Sequence, residues 1–168
     1  SHGGSRPTQP AIDVKASAMY LTQGLKRNVQ IHGNELATQD GDRARTWCES
    51  EDRIARLAGG LRRLGVADGD RVAVLSLNSD RYFEYFFAVP WAGGVFVPVN
   101  IRLAPPEIAF WLNDSGSKIL FVDDNFLEAV KALDGKLETV REFVYMGDGA
   151  TPEGMHAYED LLQDPIPD

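Results

Sequence analysis

Side chains able to do chemistry are few in this sequence and poorly grouped. The histidines are His2, His32 and His156, and none is spaced with a cysteine or carboxylate as a metal-ligand set would be. Cys48 is the single cysteine. It falls in the first turn of an expected helix, where a thiolate is favoured, but no base accompanies it. Val122-Asp123-Asp124-Asn125 ends an expected strand in paired carboxylates, hard oxygen donors that would suit Mg²⁺. Too little chain follows to complete such a site, so these acids read as caps on the next helix. Asn100 and Arg102 follow another expected strand, where parallel sheets place ligand contacts. Arg102 could meet a phosphate or carboxylate there, or serve an ion pair or a helix cap. The sequence has no G-x-G-x-x-G, no G-x-x-x-x-G-K-[ST] and no G-x-S-x-G. No catalytic residue and no metal ligand is therefore nominated, and Asn100 and Arg102 are the only binding candidates.

The elements that would position these residues follow from the pattern. Leu21, Leu25 and Val29 predict a short amphipathic helix over Tyr20 to Gln30. Glu35 to Thr38 and Arg43 to Thr46 flank an Asp-Gly pair, a hairpin signal. Thr46-Trp47-Cys48-Glu49 is a capping box that opens a helix with Ile54, Leu57, Ala58, Leu61 and Leu64 on one stripe. Arg53, Arg56, Arg62 and Arg63 fall largely off that stripe and read as a solvated face, and Gly65 caps the end. Arg71 to Ser76 and Val95 to Val99 read as two buried strands, with an aromatic helix between them that Pro90 should end or kink. Pro105-Pro106-Glu107 opens a helix lined by Ile108, Trp111 and Leu112. Strand Lys118 to Val122, helix Phe126 to Leu133 and strand Glu142 to Met146 follow. The alternation predicts an α/β fold: a mostly parallel sheet with helices on both faces, preceded by a helix and a short hairpin.

Composition bounds the rest. The chain has 168 residues, 43% hydrophobic and 25% charged, ordinary for a globular protein. A net charge of -8 argues against nucleic acid as a partner. Residues 123–168 carry 12 acids against 3 bases, so the acidity belongs to the last quarter. No run of apolar residues is long enough for a transmembrane helix. A lone cysteine suits a reducing, cytoplasmic setting. Residues 1–18 read as an expression-vector remnant or disordered leader, with a native start expected at Met19. Residues 19–146 read as the α/β unit, and 147–168 as an acidic connecting segment with a weak helix at Tyr158 to Leu162.

Thr46 to Asp123 resembles the N-terminal portion of AMP-forming acyl-CoA synthetases, the fatty-acid CoA ligases of the adenylate-forming superfamily. The resemblance rests on order and spacing. Thr46-Trp47-Cys48-Glu49 leads into Arg53-Ile54-Ala55-Arg56-Leu57, then Gly69-Asp70-Arg71-Val72-Ala73, then Asn78-Ser79. Ala92-Gly93-Gly94-Val95-Phe96-Val97-Pro98-Val99-Asn100-Ile101-Arg102-Leu103 follows, then Pro106-Glu107-Ile108 and Asp114-Ser115-Gly116-Ser117-Lys118. With Met19-Tyr20-Leu21-Thr22-Gln23-Gly24-Leu25 it extends over about Met19 to Asp168. It implies a two-step ligase using ATP, Mg²⁺ and coenzyme A. A carboxylic acid becomes acyl-AMP, and the thiol of coenzyme A then displaces AMP. A medium- or long-chain fatty acid is the expected substrate, an aryl acid the alternative. The family's Ser/Thr/Gly-rich phosphate loop ending in P-K-G is missing. Its nearest counterpart, Gly149-Ala150-Thr151-Pro152-Glu153-Gly154, has a glutamate where lysine is needed. The expectation is therefore a truncated ligase whose fragment binds none of these cofactors and is inactive alone. A stand-alone binding module is the other reading, and a homodimer stays open.

Overall fold

The computed structural model describes residues 14–163. The expected leader up to residue 13 and the closing Asp164 to Asp168 lie outside the described residues.

Helix α1 (Val14–His32) starts earlier than the periodicity suggests, so residues 14–18 of the expected leader are helical. Leu25 is its buried anchor. Strands β1 (Leu36–Asp40) and β2 (Arg43–Thr46) pair antiparallel with Asp40 opposite Arg43. Gly41, at φ +59°, takes the first loop position, a conformation that side chains with a Cβ rarely adopt. Helix α2 (Trp47–Arg63) begins on the expected capping box: Glu49 N–H donates to Thr46 Oγ1 at 3.2 Å, and Thr46 N–H to Glu49 Oε1 at 3.0 Å. The reciprocal pair satisfies amides that have no partner within the helix.

The main sheet comes from β3 (Arg71–Leu75), β4 (Val95–Pro98), β5 (Ile119–Val122), β6 (Glu142–Tyr145) and β7 (His156–Ala157). All are parallel, in the order β4-β3-β5-β6-β7. Helix α3 (Asp80–Trp91) links β3 to β4, and Ser79 Oγ accepts the Tyr82 N–H at its start. Pro90 lies in its final turn and the helix ends one residue later. Helix α4 (Pro105–Ser115) returns to β5 on the other face. A 3-10 turn, Asp124–Phe126, and the short α5 (Leu127–Lys131) lead towards β6, in place of the longer helix expected there.

Alternation along the strands builds two cores. Val72, Val74, Ile119, Phe121 and Val144 face one layer with Leu25, Ile54, Leu57, Leu61 and Tyr85. Ala73, Leu75, Leu120 and Val122 face the other with Ile108, Leu112, Val130 and Leu133. Helices α1, α2 and α3 therefore cover one face, and α4 and α5 the other.

Three expectations need correction. β4 is half-buried, because it is an edge strand. Pro98 is the signature: Val95 and Val99 donate inward to Asp70 and Val74, so Pro98 points its missing donor outwards, where no ladder bond is lost. Trp111 does not line the buried face of α4; Ile108, Ala109 and Leu112 do, and Trp111 is 51% exposed. The stretch after Met146 does not run off the sheet. It returns as β7 and a 3-10 turn, Tyr158–Leu161, that packs on α2. A Cβ at Gly60 would collide with the Leu161 backbone, so α2 needs glycine at this approach.

Candidate functional site

In a doubly wound sheet, ligands sit at the carboxyl ends of the strands where successive connections leave in opposite directions. Here that crevice lies between β3 and β5, since α3 and α4 cross on opposite faces. Asp123, the first residue after β5, fills it. Its Oδ2 accepts the Ser76 hydroxyl and the Leu77 N–H, each at 3.0 Å, and its Oδ1 accepts the Asn125 N–H at 2.9 Å. The capping reading of this acid is correct, and the cap also ties the loop after β3 to the loop after β5. Asp124 accepts from the Tyr145 hydroxyl and from the Asp148 N–H.

Asn100 and Arg102 stand beside this crevice, in the turn after β4. Asn100 Oδ1 accepts the Arg102 N–H at 2.9 Å, so Asn100 is committed to shaping its own turn. The Arg102 side chain is exposed. The structure thus brings both candidates to the carboxyl edge, with the Asn100 Oδ1 engaged in its own turn and the Arg102 side chain exposed.

A second cluster of charged groups was not foreseen. Period-two alternation puts Arg43 and Arg45 on one face of β2, and both reach Asp80 in the first turn of α3. Asp80 is 3% exposed. Burial opposes its ionisation, but the two guanidiniums outweigh that and hold its carboxyl below the usual range. Arg43 also reaches Asp148 at 2.5 Å. Arg81, buried in the same helix, donates to the carbonyls of Met146 and Gly147 and to Asp148. One layer deeper, Glu84 is 1% exposed and takes Arg53 at 2.6 Å and the Tyr158 hydroxyl at 2.8 Å. Arg53 and Arg81 both hold Glu159. Burial again opposes ionisation of Glu159, and the arginines prevail, keeping its carboxyl low. Burial together with the Glu84 charge drives the Tyr158 phenol well up. Arg53 is therefore a half-buried tie, and the solvated-face reading fails for it. One signal was available: Arg81, Glu84, Tyr85 and Ala88 recur at helical spacing, which puts two charges on the buried stripe of α3.

This cluster is made of paired charges, with the buried Arg81 Nε left without a hydrogen-bond partner. Its chemistry is to lock α2, α3, the hairpin and residues 146–159 together. The crevice holds a carboxylate that would repel phosphate. No group of three or more His, Cys, Asp or Glu among the described residues could hold a metal ion. No step of ATP chemistry is assigned to them.

Comparison with known proteins decides the family. The AMP-binding enzyme family matches residues 25–167. The chain belongs to this family. A long-chain-fatty-acid–CoA ligase from Thermus thermophilus is 50% identical over 117 residues, 70% of this chain and 21% of that protein. A feruloyl-CoA synthase from an Amycolatopsis species is 44% identical over 64% of this chain and 22% of that protein. An anthranilate CoA ligase solved with anthranoyl-AMP superposes with a TM-score of 0.79 at 28% identity, covering 84% of this chain and 27% of that one. The parallel sheet, the leading helix and the hairpin match the N-terminal domain of adenylate-forming ligases. The chain spans about a fifth of the length of these curated AMP-binding relatives. Among the described residues no helix is long and apolar enough to cross a membrane.

Proposed function

We infer that this chain is the opening part of an ATP-dependent acyl-CoA ligase. In the first step a carboxylate oxygen attacks the α-phosphorus of ATP, forming acyl-AMP and releasing pyrophosphate. In the second the thiol of coenzyme A attacks the acyl carbon, giving the thioester, AMP and a proton. The observation that carries this reading is the family match across residues 25–167, with 50% identity to a fatty-acid ligase. The role of the chain is to supply the scaffold of the first parallel sheet, with the reacting groups contributed by sequence beyond it. The 168 residues alone are inactive and bind none of ATP, Mg²⁺ and coenzyme A. The preferred acid is a medium- or long-chain fatty acid. The feruloyl and anthranilate enzymes support an aryl acid as the second reading. Arg102 is the side chain here best placed to meet an anion at the carboxyl edge.

Thioester formation by the protein from the uninterrupted reading frame tests this, with fatty and aryl acids offered in parallel. Fatty acyl-CoA as the main product is expected. Aryl-CoA as the main product would select the second reading, and no thioester from any acid would end both. Arg102→Ala in the same protein should lower kcat/KM about tenfold, the worth of one charged hydrogen bond. An unchanged value would remove Arg102 from the site.

A further inference from the structure

Two consecutive acids, Asp123 and Asp124, follow β5 and hold different loops at the carboxyl edge of the sheet. Asp123 is half-buried and faces the loop after β3: its Oδ2 accepts the Ser76 hydroxyl and the Leu77 N–H, each at 3.0 Å. Asp124 is exposed and faces the loop after β6: its Oδ2 accepts the Asp148 N–H at 3.2 Å, and its Oδ1 the Tyr145 hydroxyl. That hydroxyl in turn accepts the Gly149 N–H at 2.8 Å. A Cβ at Gly147 would overlap the Asp124 carboxylate, so the loop after β6 closes on this acid because glycine stands there.

The two ties are alike in kind. Each carboxylate takes one backbone N–H and one hydroxyl from its loop, and hydrogen bonds to an ionised acceptor are the stronger sort. They differ in place. The Asp123 tie spans β3 and β5, where the crevice lies, and the Asp124 tie spans β5 and β6, one strand outside it. Asp123 therefore sets where one wall of the crevice stands. Leu77 hangs on it through its backbone N–H, and Leu77 is 45% exposed although apolar. Ile101, in the turn after the neighbouring β4, is 42% exposed. Val74 and Pro98 are register partners, and Leu77 and Ile101 lie three residues beyond them. Two apolar side chains thus stand open at adjacent strand ends, with the exposed Arg102 next in the chain. Apolar groups with a cation at hand suit a ligand that carries an anionic group on a flexible, largely apolar arm. The carboxylic acid and coenzyme A of the proposed reaction have that form. ATP carries a polar nucleoside instead, and the Asp123 carboxylate would repel its phosphates.

We propose that Asp123 is a positioning residue of the ligase. Without touching substrate, it holds the Leu77 loop in the place that receives this arm, while Asp124 has a structural part only. The proposal rests on the ligase reading.

Steady-state kinetics of the protein from the full reading frame tests it, with KM measured separately for the acid, coenzyme A and ATP. Asp123→Asn keeps an acceptor for the Asn125 N–H but cannot serve both Ser76 and Leu77. It should raise KM for the acid or for coenzyme A about tenfold, the loss of one charged hydrogen bond, with kcat held within about twofold and KM for ATP unchanged. Whichever KM rises identifies the ligand on that wall. Ser76→Ala removes one donor and should move the same KM in the same direction by less. Asp124→Asn loses a like pair of bonds and should lower the melting temperature as much as Asp123→Asn does, yet leave every KM as it was. Equal kinetic effects from the two Asn variants, none from either, or a rise confined to ATP would overturn the proposal and leave the ligase reading intact. No thioester from the unaltered protein would end the ligase reading and the proposal with it.

Discussion

Single side chains in this domain do joining work more than chemistry. Glu84 is the clearest case, since it satisfies Arg53 and the Tyr158 hydroxyl inside the α2–α3 layer. Removing one member of a buried charge set leaves the others unpaired, which costs about 3–5 kcal/mol. Glu84→Ala should lose that much in urea denaturation, and Glu84→Gln, which keeps shape and one acceptor, should lose less. Equal losses would mean packing, not charge, sets the value. Tyr85 plays a parallel part: its hydroxyl donates to Val72 O at 2.5 Å and accepts the Val97 N–H at 3.2 Å, bridging β3 to the edge strand. The sequence hid these roles for a physical reason. Glu84 and Glu159 are far apart in the chain, and local periodicity says nothing about which distant acid an arginine meets. The capping box at Thr46 was legible because both its partners lie within one turn.

Elements were readable where their pattern is local and strong. The α2 stripe, the strands β3 and β5 and the α4 start all follow from spacing, caps and proline placement. Edges and late additions were not. β4 is as apolar as a central strand, and only Pro98 betrays its place at the rim. β7 has two residues, too short for any alternation to register. Beside the ladder to β6 and the buried Tyr158 and Leu161, charge ties this end: Glu159 on Arg53 and Arg81, with Asp80 fixing α3 to the hairpin. That makes the tie sensitive to acid. Both carboxyls are held below their ordinary range in the folded chain, whereas unfolded Asp and Glu titrate near about 3.9 and 4.3. Their contribution is complete above those values and drains away as pH falls through the lower folded range. The melting temperature should therefore stay level from neutral pH to about 5 and decline below about 4. In Asp80→Asn that acid-side decline should be shallower. A midpoint that declines between pH 7 and 5 instead would contradict the assignment of the acid sensitivity to these two carboxyls.

At the scale of the molecule, the sheet order places a binding crevice between β3 and β5, and Asp123 occupies it with a carboxylate. The family was legible from ordered motifs between Thr46 and Lys118, and the match over residues 25–167 places the chain among the AMP-binding enzymes. The reacting groups were not legible, since no phosphate loop is present to read. Carboxylate-dependent exchange of labelled pyrophosphate into ATP is the direct measurement, run on the 168-residue chain beside the protein from its full reading frame. Exchange by the long protein with none by the short one is the expected result. Exchange by the short chain alone would contradict it, because catalysis would then reside in residues proposed to serve as a scaffold.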